Sequence, residues 1–152
     1  MSGKRLIAIV GPTASGKSKL ALFMARNTRG EIVNADSRQV YRYMDIGTAK
    51  PSRDERTAVP HHLYDISDLD EQINLAEYQE SAFRIIEGIF QRGSIPVLVG
   101  GSGLYIWSVL EGWEIPRIAP DMELRIKLGE RVGLEEEGSL YRELQGLDPY
   151  AA

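Results

Sequence analysis

The residue pattern with the clearest chemical meaning is a phosphate loop near the amino terminus. It fits G-x-x-x-x-G-K-[ST] at every fixed position, with the residues Gly11, Pro12, Thr13, Ala14, Ser15, Gly16, Lys17 and Ser18. Glycines let such a loop curl so that successive backbone N–H groups point at an anion. Lys17 adds a positive charge, and the Ser18 hydroxyl is a suitable Mg²⁺ ligand beside the phosphates. The loop predicts a di- or triphosphate site, and the alternative is a chance match in an ordinary glycine turn.

The residues on either side of the loop support the functional interpretation. Residues 5–10 form an apolar run of strand length, and residues 19–26 have the pattern of a helix. A helix that starts at the loop contributes unpaired N–H groups and the positive end of its dipole. This strand–loop–helix order makes the pattern specific, so a chance match is disfavoured.

A carboxylate is expected at the same edge of the sheet. Residues 31–36 form a second short strand with Asp36 at its carboxyl end, and the apolar strand 95–99 ends in a second glycine turn. Because ligands of open parallel sheets bind beyond the carboxyl ends of the strands, we expect Asp36 and both glycine loops to share one rim. From the residues alone, Asp36 is equally consistent with an N-cap on a helical turn over residues 37–41.

Two further segments have recognisable patterns. Residues 75–91 predict a helix, with Asn74 as its N-cap and a hydrophobic stripe that includes Phe83. His61 and His62 open a short strand over residues 61–66. Adjacent side chains of a strand point to opposite faces, so we favour a structural role for both histidines over a metal site.

The order of these elements predicts an α/β fold. We expect a P-loop NTPase-like open parallel sheet flanked by helices over residues 1–112. Residues 113–152 differ in character, with weakly striped helices predicted over residues 121–132 and 139–144. The chain therefore divides into an α/β core and a helical extension at its carboxyl-terminal end.

Composition and charge exclude several classes of protein. The 152 residues are 43% hydrophobic and 26% charged, contain no cysteine, and have no apolar run near the ~20 residues of a membrane helix. We therefore expect a cytoplasmic protein without membrane association, disulfides or thiolate metal sites. Residues 1–60 hold 11 Lys and Arg against 5 Asp and Glu, a net +6, whereas residues 61–152 hold 7 against 17, a net −10. The positive half suits a polyanionic ligand, and the acidic half argues against broad coating of nucleic acid.

Part of that positive charge lies in an irregular segment after the second strand. Its basic residues are Arg38, Arg42, Lys50, Arg53 and Arg56. Pro51 argues against a helix through Lys50, because the residue before a proline avoids helical geometry. The pattern predicts a mobile, positively charged surface excursion.

Five blocks of sequence together resemble the bacterial tRNA dimethylallyltransferase family. They are the phosphate loop, residues 34–41 (NADSRQVY), residues 44–51 (MDIGTAKP), residues 61–63 (HHL) and residues 99–105 (VGGSGLY). The phosphate loop occurs in many enzymes, whereas the second and third blocks are far more specific. The resemblance implies transfer of the dimethylallyl group of dimethylallyl diphosphate to the exocyclic amine of the adenine next to the anticodon in tRNA.

The resemblance also implies roles for individual residues. The loop would hold the diphosphate leaving group, with Thr13, Lys17 and Mg²⁺ on Ser18 stabilising charge as the allylic C–O bond breaks. Asp36 would orient the adenine amine and accept its proton. The positions that match tRNA contacts in the family are Asp36, Ser37, Arg38, Gln39, Ser102 and Arg125. The implied partners are dimethylallyl diphosphate and the tRNA anticodon stem-loop.

Length is where the sequence departs from this family. Family members run to roughly twice this chain, so the resemblance implies an amino-terminal fragment in which residues 113–152 begin a tRNA-binding insertion domain. Family members are usually monomers, and we expect a fragment to self-associate.

Two other functions fit the phosphate loop. A nucleoside or nucleotide kinase-like phosphotransferase would use the loop for ATP and Asp36 to activate a substrate hydroxyl. A diphosphate-binding fragment would bind the same anion without turnover. Kinases do not need the blocks at residues 36–41 and 44–51, which favours the prenyltransferase.

Overall fold

The protein contains a four-stranded parallel sheet, described here from a computed structural model of residues 4–71 and 73–151. Its strands are β1 (Ile7–Val10), β2 (Gly30–Asn34), β3 (His61–His62) and β4 (Ile95–Gly100), in the spatial order β1-β4-β2-β3. Residues 1–3, 72 and 152 belong to the predicted domain ranges and lie outside the described residues. The predicted open parallel α/β sheet is confirmed.

Helices connect the strands and flank the sheet. They are α1 (Lys17–Thr28), α2 (Arg53–Ala58), α3 (Leu75–Gln91) and α4 (Gly103–Glu111). Helix α2 was not predicted; it is short and has no buried residue, although the capping box of Ser52 and Glu55 marks its start. Strand β3 was predicted to extend to residue 66. Leu63 and Asp65 adopt φ values of +63° and +55°, which no strand accommodates, so β3 stops at His62.

The core lies on both faces of the central strands β2 and β4. On one face, Val33 and Leu98 pack with Tyr78 and Ile106 of α3 and α4. On the other face, Ile32, Val97 and Val99 pack with Ala21 and Ala25 of α1. Adjacent residues of each strand thus serve opposite faces, as the strand geometry requires. A near-continuous apolar sequence in β4 follows from burial on both sides.

Helix α3 begins and packs largely as its sequence predicts. Asn74 caps it, with the side chains of Asn74 and Glu77 each accepting the backbone N–H of the other. Tyr78 is fully buried, stacks on the Tyr105 ring at 3.7 Å between centroids, and donates its hydroxyl to the backbone oxygen of Asn34. The assignment of Phe83 to the buried stripe is wrong, because its side chain points away from the core and remains exposed.

A second compact unit begins at Arg117, after the first ends at Pro116. It contains α5 (Met122–Leu134) and α6 (Ser139–Leu147), close to the predicted helices, and neither helix has a buried residue. Arg131 joins the two helices through ion pairs to Glu135 and Glu143. The domain boundary at residue 112 stays a prediction.

The outer edge of the sheet and the length of the helices bear on self-association and on membrane insertion. Within the described part of the chain, β1 pairs with β4 alone, so its outer edge carries unpaired backbone groups. The expected self-association stays a prediction. No described helix is long and apolar enough to cross a membrane.

The buried carboxylate of Glu31 on β2 forms hydrogen bonds with Arg92, which follows α3, and with His62 of β3. Glu31 accepts two hydrogen bonds from Arg92, at 3.1 and 2.8 Å, and its Oε2 lies 2.7 Å from Nε2 of His62. The guanidinium of Arg92 is the main reason that the pKa of Glu31 falls from 4.5 to about 2.

This ion pair predicts a specific acid sensitivity. Because the folded-state pKa of Glu31 is lowered, its stabilisation is complete above pH 4.5 and is lost as the pH falls towards 2. A shift of this size corresponds to roughly 3 kcal/mol at most. We expect Glu31→Gln to lower the free energy of unfolding clearly at pH 7 and much less at pH 3, measured by urea denaturation.

The matched control is Glu87→Gln, which removes the exposed ion pair of Glu87 with Lys4. Exposed pairs contribute little, so this variant should follow the parent protein at both pH values. If Glu31→Gln lowered the free energy of unfolding equally at pH 7 and pH 3, the lowered pKa of Glu31 would be contradicted.

Candidate functional site

The phosphate loop curls tightly between β1 and α1. Gly16 occupies the N-cap position of α1 with φ +86°, a left-handed conformation that favours glycine. Ala14 is also left-handed, with φ +64°. The strand–loop–helix arrangement predicted from the sequence is therefore present. The unpaired N–H groups of the first turn of α1 lie at the loop.

Lys17 spans this loop with its side chain. Its Nζ donates to the carbonyl oxygen of Pro12 at 2.5 Å, which places the ammonium group over the loop backbone. An ammonium group has three donors, so two remain for an anion bound beside Pro12. This is the geometry expected of a phosphate-binding lysine.

Asp36 and the phosphate loop line the same small cavity. This cavity measures about 70 Å³, and its walls include Thr13, Lys17, Ser18, Asp36 and Gly100. The structure therefore brings together the three residues that the family resemblance marks as catalytic and the candidate Mg²⁺ ligand. The expectation of a common rim holds geometrically, although their catalytic roles are not thereby tested.

The carboxylate of Asp36 is held at one oxygen only. Oδ1 accepts the N–H of Arg38 at 2.9 Å, whereas Oδ2 has no hydrogen-bond partner within residues 4–71 and 73–151. Residues 37–40 form turns, so Asp36 stabilises a turn but caps no helix. The free oxygen can accept a hydrogen bond or a proton from a ligand in the cavity.

The second glycine turn fixes the segment that carries Asp36. A Cβ atom on Gly100 would lie 2.0 Å from the carbonyl oxygen of Ala35, so only glycine permits this approach. Ser102 continues the contact, because its N–H donates to Ala35 at 3.2 Å and its Oγ accepts the N–H of Ser37 at 2.8 Å. Ser102 and Ser37 also join through their hydroxyls at 3.0 Å.

The other predicted tRNA contacts lie in different environments. Gln39 is buried and donates to the carbonyl oxygen of Thr48 at 2.7 Å, so its amide holds the neighbouring loop. Arg38 is exposed and makes no ion pair within the described ranges. Arg125 is exposed on α5, in the second unit. Sequence alone could not separate Gln39 from Arg38, because burial depends on the distant loop.

The basic segment is packed, which corrects the expectation of a mobile positive excursion. Lys50 is only 2% exposed and donates to Asp65 at 2.5 Å and to Asp45 at 3.0 Å. Arg56 also binds Asp65, at 2.6 Å. Arg42 pairs with Asp68 at 2.7 Å in the same way. Two acidic residues after β3, Asp65 and Asp68, thus offset part of the net +6 charge that the first 60 residues carry.

A larger cavity adjoins the other side of the phosphate loop. It measures about 380 Å³, and beyond the loop its lining includes Leu22, Ile32, Lys50, His61 and Tyr64. Sequence reasoning did not connect Tyr64 or Lys50 with the loop. The position of Lys50 in the family-specific block at residues 44–51 could have linked it to the site, whereas no sequence feature pointed to Tyr64.

The two histidines face different partners. His61 lines the larger cavity, its Nδ1 lies 2.7 Å from the carbonyl oxygen of Val59, and burial lowers its pKa. His62 instead contacts Glu31. Within the described residues, no group of three His, Cys, Asp or Glu side chains is arranged to hold a metal ion. These contacts favour the structural interpretation of both histidines.

Comparison with known proteins identifies the family. The family model described as IPP transferase matches residues 39–152. The chain belongs to the IPP transferase family. The tRNA dimethylallyltransferase of Roseiflexus castenholzii is 55% identical over 97% of this chain and 48% of its own length. That of Chloroflexus aurantiacus is 52% identical over 98% of this chain and 50% of its own.

Solved structures of IPP transferases agree with the fold. The full-length tRNA isopentenylpyrophosphate transferase of Bacillus halodurans gives a TM-score of 0.73 at 42% identity, covering 98% of this chain and 49% of that one. A eukaryotic dimethylallyltransferase acting on tRNA gives a TM-score of 0.77 at 30% identity, covering 97% and 36%. The family resemblance and the P-loop NTPase-like fold are confirmed. The chain spans about half the length of the curated relatives it matches.

The close approach at Gly100 gives a direct test of the site in this member of the IPP transferase family. We expect Gly100→Ala to displace the segment of Asp36, because the added Cβ cannot remain 2.0 Å from the Ala35 oxygen. Steric changes in a core typically lower the free energy of unfolding by roughly 1–3 kcal/mol. Thermal unfolding measures this loss, and calorimetric titration with inorganic pyrophosphate reports on the cavity.

Gly101→Ala is the control, because its Cβ would lie 3.6 Å from the nearest heavy atom, the Gly11 oxygen. That variant should unfold like the parent protein. Equal stability of both alanine variants would show that the Ala35 segment is not confined by Gly100.

Proposed function

We propose that this chain carries the diphosphate-binding and proton-accepting residues of a tRNA dimethylallyltransferase. The reaction would transfer the dimethylallyl group of dimethylallyl diphosphate to the exocyclic amine of the adenine next to the anticodon. The observation that carries the proposal is the placement of Asp36 on the same cavity as Thr13 and Lys17. Family membership supports the choice of reaction.

The phosphate loop would bind the diphosphate leaving group. Its backbone N–H groups and the start of α1 offer donors to the anion. Lys17 and Thr13 would stabilise the negative charge that grows on the leaving oxygen as the allylic C–O bond breaks. The hydroxyl of Ser18, on the same cavity, fits a hard cation such as Mg²⁺. Bound there, Mg²⁺ would neutralise part of the diphosphate charge.

Asp36 would serve the nucleophile. The adenine amine is weakly nucleophilic because its lone pair is delocalised into the ring, and attack on the allylic carbon leaves positive charge on nitrogen. The unpartnered Oδ2 of Asp36 offers an acceptor for the amine hydrogen, and the carboxylate then takes the proton. One N–C bond forms, one C–O bond breaks, and the pair of electrons leaves with the diphosphate.

The tRNA partner would contact several elements. We assign Asp36, Ser37, Arg38, Gln39, Ser102 and Arg125 to the anticodon stem-loop interface. Exposed Arg38 has the chemistry for a phosphate contact, whereas the buried Gln39 would act through the loop that it holds. We further propose residues 1–112 as the catalytic core, residues 113–152 as the start of a tRNA-binding domain, and the cytoplasm as the site of the reaction.

Lys17 tests the loop. We expect Lys17→Ala to weaken dimethylallyl diphosphate binding roughly tenfold to hundredfold, since a charge-assisted hydrogen bond contributes about 1.5–3 kcal/mol. Isothermal titration in the presence of Mg²⁺ measures the affinity. Arg26→Ala, an exposed position in the last turn of α1, should leave it unchanged. Tighter binding of ATP than of dimethylallyl diphosphate by the parent protein would favour the kinase-like alternative.

Asp36 tests the chemistry. In a chain extended by the carboxyl-terminal half of a curated relative, we expect Asp36→Asn to slow single-turnover transfer to tRNA by roughly 10²–10⁴-fold. The affinity for dimethylallyl diphosphate should stay nearly constant, because the anion rests on the loop. Labelled substrate and rapid quench measure the rate.

Asp54→Asn changes an exposed carboxylate on α2 and should leave the transfer rate unaltered. A normal rate for Asp36→Asn combined with a lower melting temperature would make Asp36 a purely structural residue. The proton acceptor would then lie elsewhere.

A further inference from the structure

The side-chain amide of Asn34 forms hydrogen bonds with both the N–H and the carbonyl oxygen of Asp36. Asn34 is the last residue of β2 and is fully buried. Its Oδ1 accepts the N–H of Asp36 at 3.0 Å, and its Nδ2 donates to the carbonyl oxygen of the same residue at 3.2 Å. Nδ2 also donates to the carbonyl oxygen of Leu63 at 3.0 Å. One amide group thus binds both polar backbone groups of the residue two positions ahead.

This arrangement fixes the orientation of the amide. If the side chain were flipped, its oxygen would face two carbonyl oxygens and its NH₂ would face an N–H donor. Both donors and the acceptor of the amide are therefore satisfied only in the observed orientation. Tyr78 binds the backbone of Asn34, because its hydroxyl donates to the backbone oxygen of Asn34 at 2.9 Å.

The sheet itself does not position Asp36. The parallel ladder ends one residue earlier, where the N–H of Ala35 donates to the carbonyl oxygen of Val99 at 2.8 Å. The N–H of Asp36 instead binds the Asn34 side chain. The restraints from Gly100 and Ser102 act on Ala35 and Ser37. Within the turn, Asp36 accepts the N–H of Arg38 at its carboxylate and the N–H of Gln39 at its carbonyl oxygen. The backbone N–H of Asp36 is bound by the side chain of Asn34, which therefore ties this turn to the end of β2.

We propose that Asn34 is a positioning residue that sets the geometry of the Asp36 carboxylate at the phosphate loop. The inference rests on the proposed role of Asp36 as proton acceptor. Asparagine suits the task because its short amide offers one acceptor and two donors in a plane. Aspartate would lack both donors, and alanine would leave the backbone groups of Asp36 without these partners.

The hydrogen bond from Asn34 to Leu63 links the Asp36 segment to a second segment that lines the site. Leu63 is buried with φ +63° and precedes Tyr64, which lines both cavities beside the phosphate loop. Asn34 therefore ties the segment of Asp36 to the segment that carries Tyr64. Loss of the amide would loosen two walls of the small cavity together.

The decisive experiment is a double-mutant cycle in the extended chain defined above. We expect Asn34→Ala to slow single-turnover transfer roughly tenfold to hundredfold, because a small misplacement of a catalytic group has effects of this size. In the Asp36→Asn background, Asn34→Ala should add less than about threefold, since the group it positions is already gone. The affinity for dimethylallyl diphosphate should be unchanged in both backgrounds.

Tyr78→Phe is the matched control. It removes the hydrogen bond to the backbone oxygen of Asn34 and keeps the side-chain amide and its three bonds. A general loss of rigidity would slow both Asn34→Ala and Tyr78→Phe in proportion to their loss of stability. Positioning by the amide predicts that only Asn34→Ala slows transfer, and that Asn34→Ser, which keeps one hydrogen-bonding group, lies between it and the parent protein.

A second measurement needs no catalysis. In the 152-residue chain, amide hydrogen exchange should accelerate at Asp36 in Asn34→Ala but not in Tyr78→Phe, with exchange of the β4 core amides as the internal reference. Unchanged exchange at Asp36, or additive rate losses in the cycle, would overturn the positioning role. If Asp36→Asn itself kept the parent rate, the proposed function would fail instead, and faster exchange at Asp36 in Asn34→Ala would still show that Asn34 holds the Asp36 backbone.

Discussion

The parallel pairing of β4 with both β1 and β2 is the constraint on which the site depends. Val10 lies opposite Gly100 on one side of β4, and Asn34 lies opposite Val99 on the other. The chain segments that follow these residues must then leave the sheet at the same level. This register places the start of the phosphate loop, the second glycine turn and Asp36 together. A shift of one residue would turn every side chain of a strand to the other face and dismantle the rim.

Small side chains and polar contacts then bring the three segments into contact. Gly100 lets the backbone of Ala35 approach closer than any Cβ would permit, and Ser102 links the turn to Ser37. The side-chain amide of Asn34 binds the backbone N–H and carbonyl oxygen of Asp36. These contacts leave one oxygen of Asp36 without a partner in the described chain, which is the state that a proton acceptor needs. The backbone around Asp36 is therefore held by hydrogen bonds while Oδ2 remains available to a ligand.

Charge in this protein is arranged by folding more than by sequence position. The basic residues after β2 predicted a mobile, positively charged surface excursion, but Lys50, Arg42 and Arg56 are joined to carboxylates from residues 45–68. Glu31 shows the reverse case, a buried anion held by Arg92 from the far end of α3. Lys17 and Lys19 line the cavity beside the phosphate loop, and Arg38 is exposed two residues after Asp36. A local field of this kind favours one bound anion over extended nucleic-acid coating.

The sequence by itself determined the local elements and the chemistry they carry. A phosphate loop is formed by contiguous backbone groups, so eight consecutive residues specify it. Helix α3 was predictable for a similar reason, because Asn74 and Glu77 form its cap within four residues. The α/β fold followed from the alternation of such elements, and the family from short blocks of residues. Helix α2 was missed because its six residues, five polar and one alanine, give no hydrophobic period.

Only the tertiary structure decided what surrounds the loop. The contact of Gly100 with Ala35, the amide of Asn34 between Asp36 and Leu63, and the ion pair of Lys50 with Asp65 join residues far apart in the chain. The exposure of Phe83 and the end of β3 at His62 likewise depend on neighbours that a local pattern does not contain. Burial and hydrogen-bond partners of such residues are properties of strand order and register. Those are fixed when β1, β2 and β4 pair, which no short stretch of sequence encodes alone.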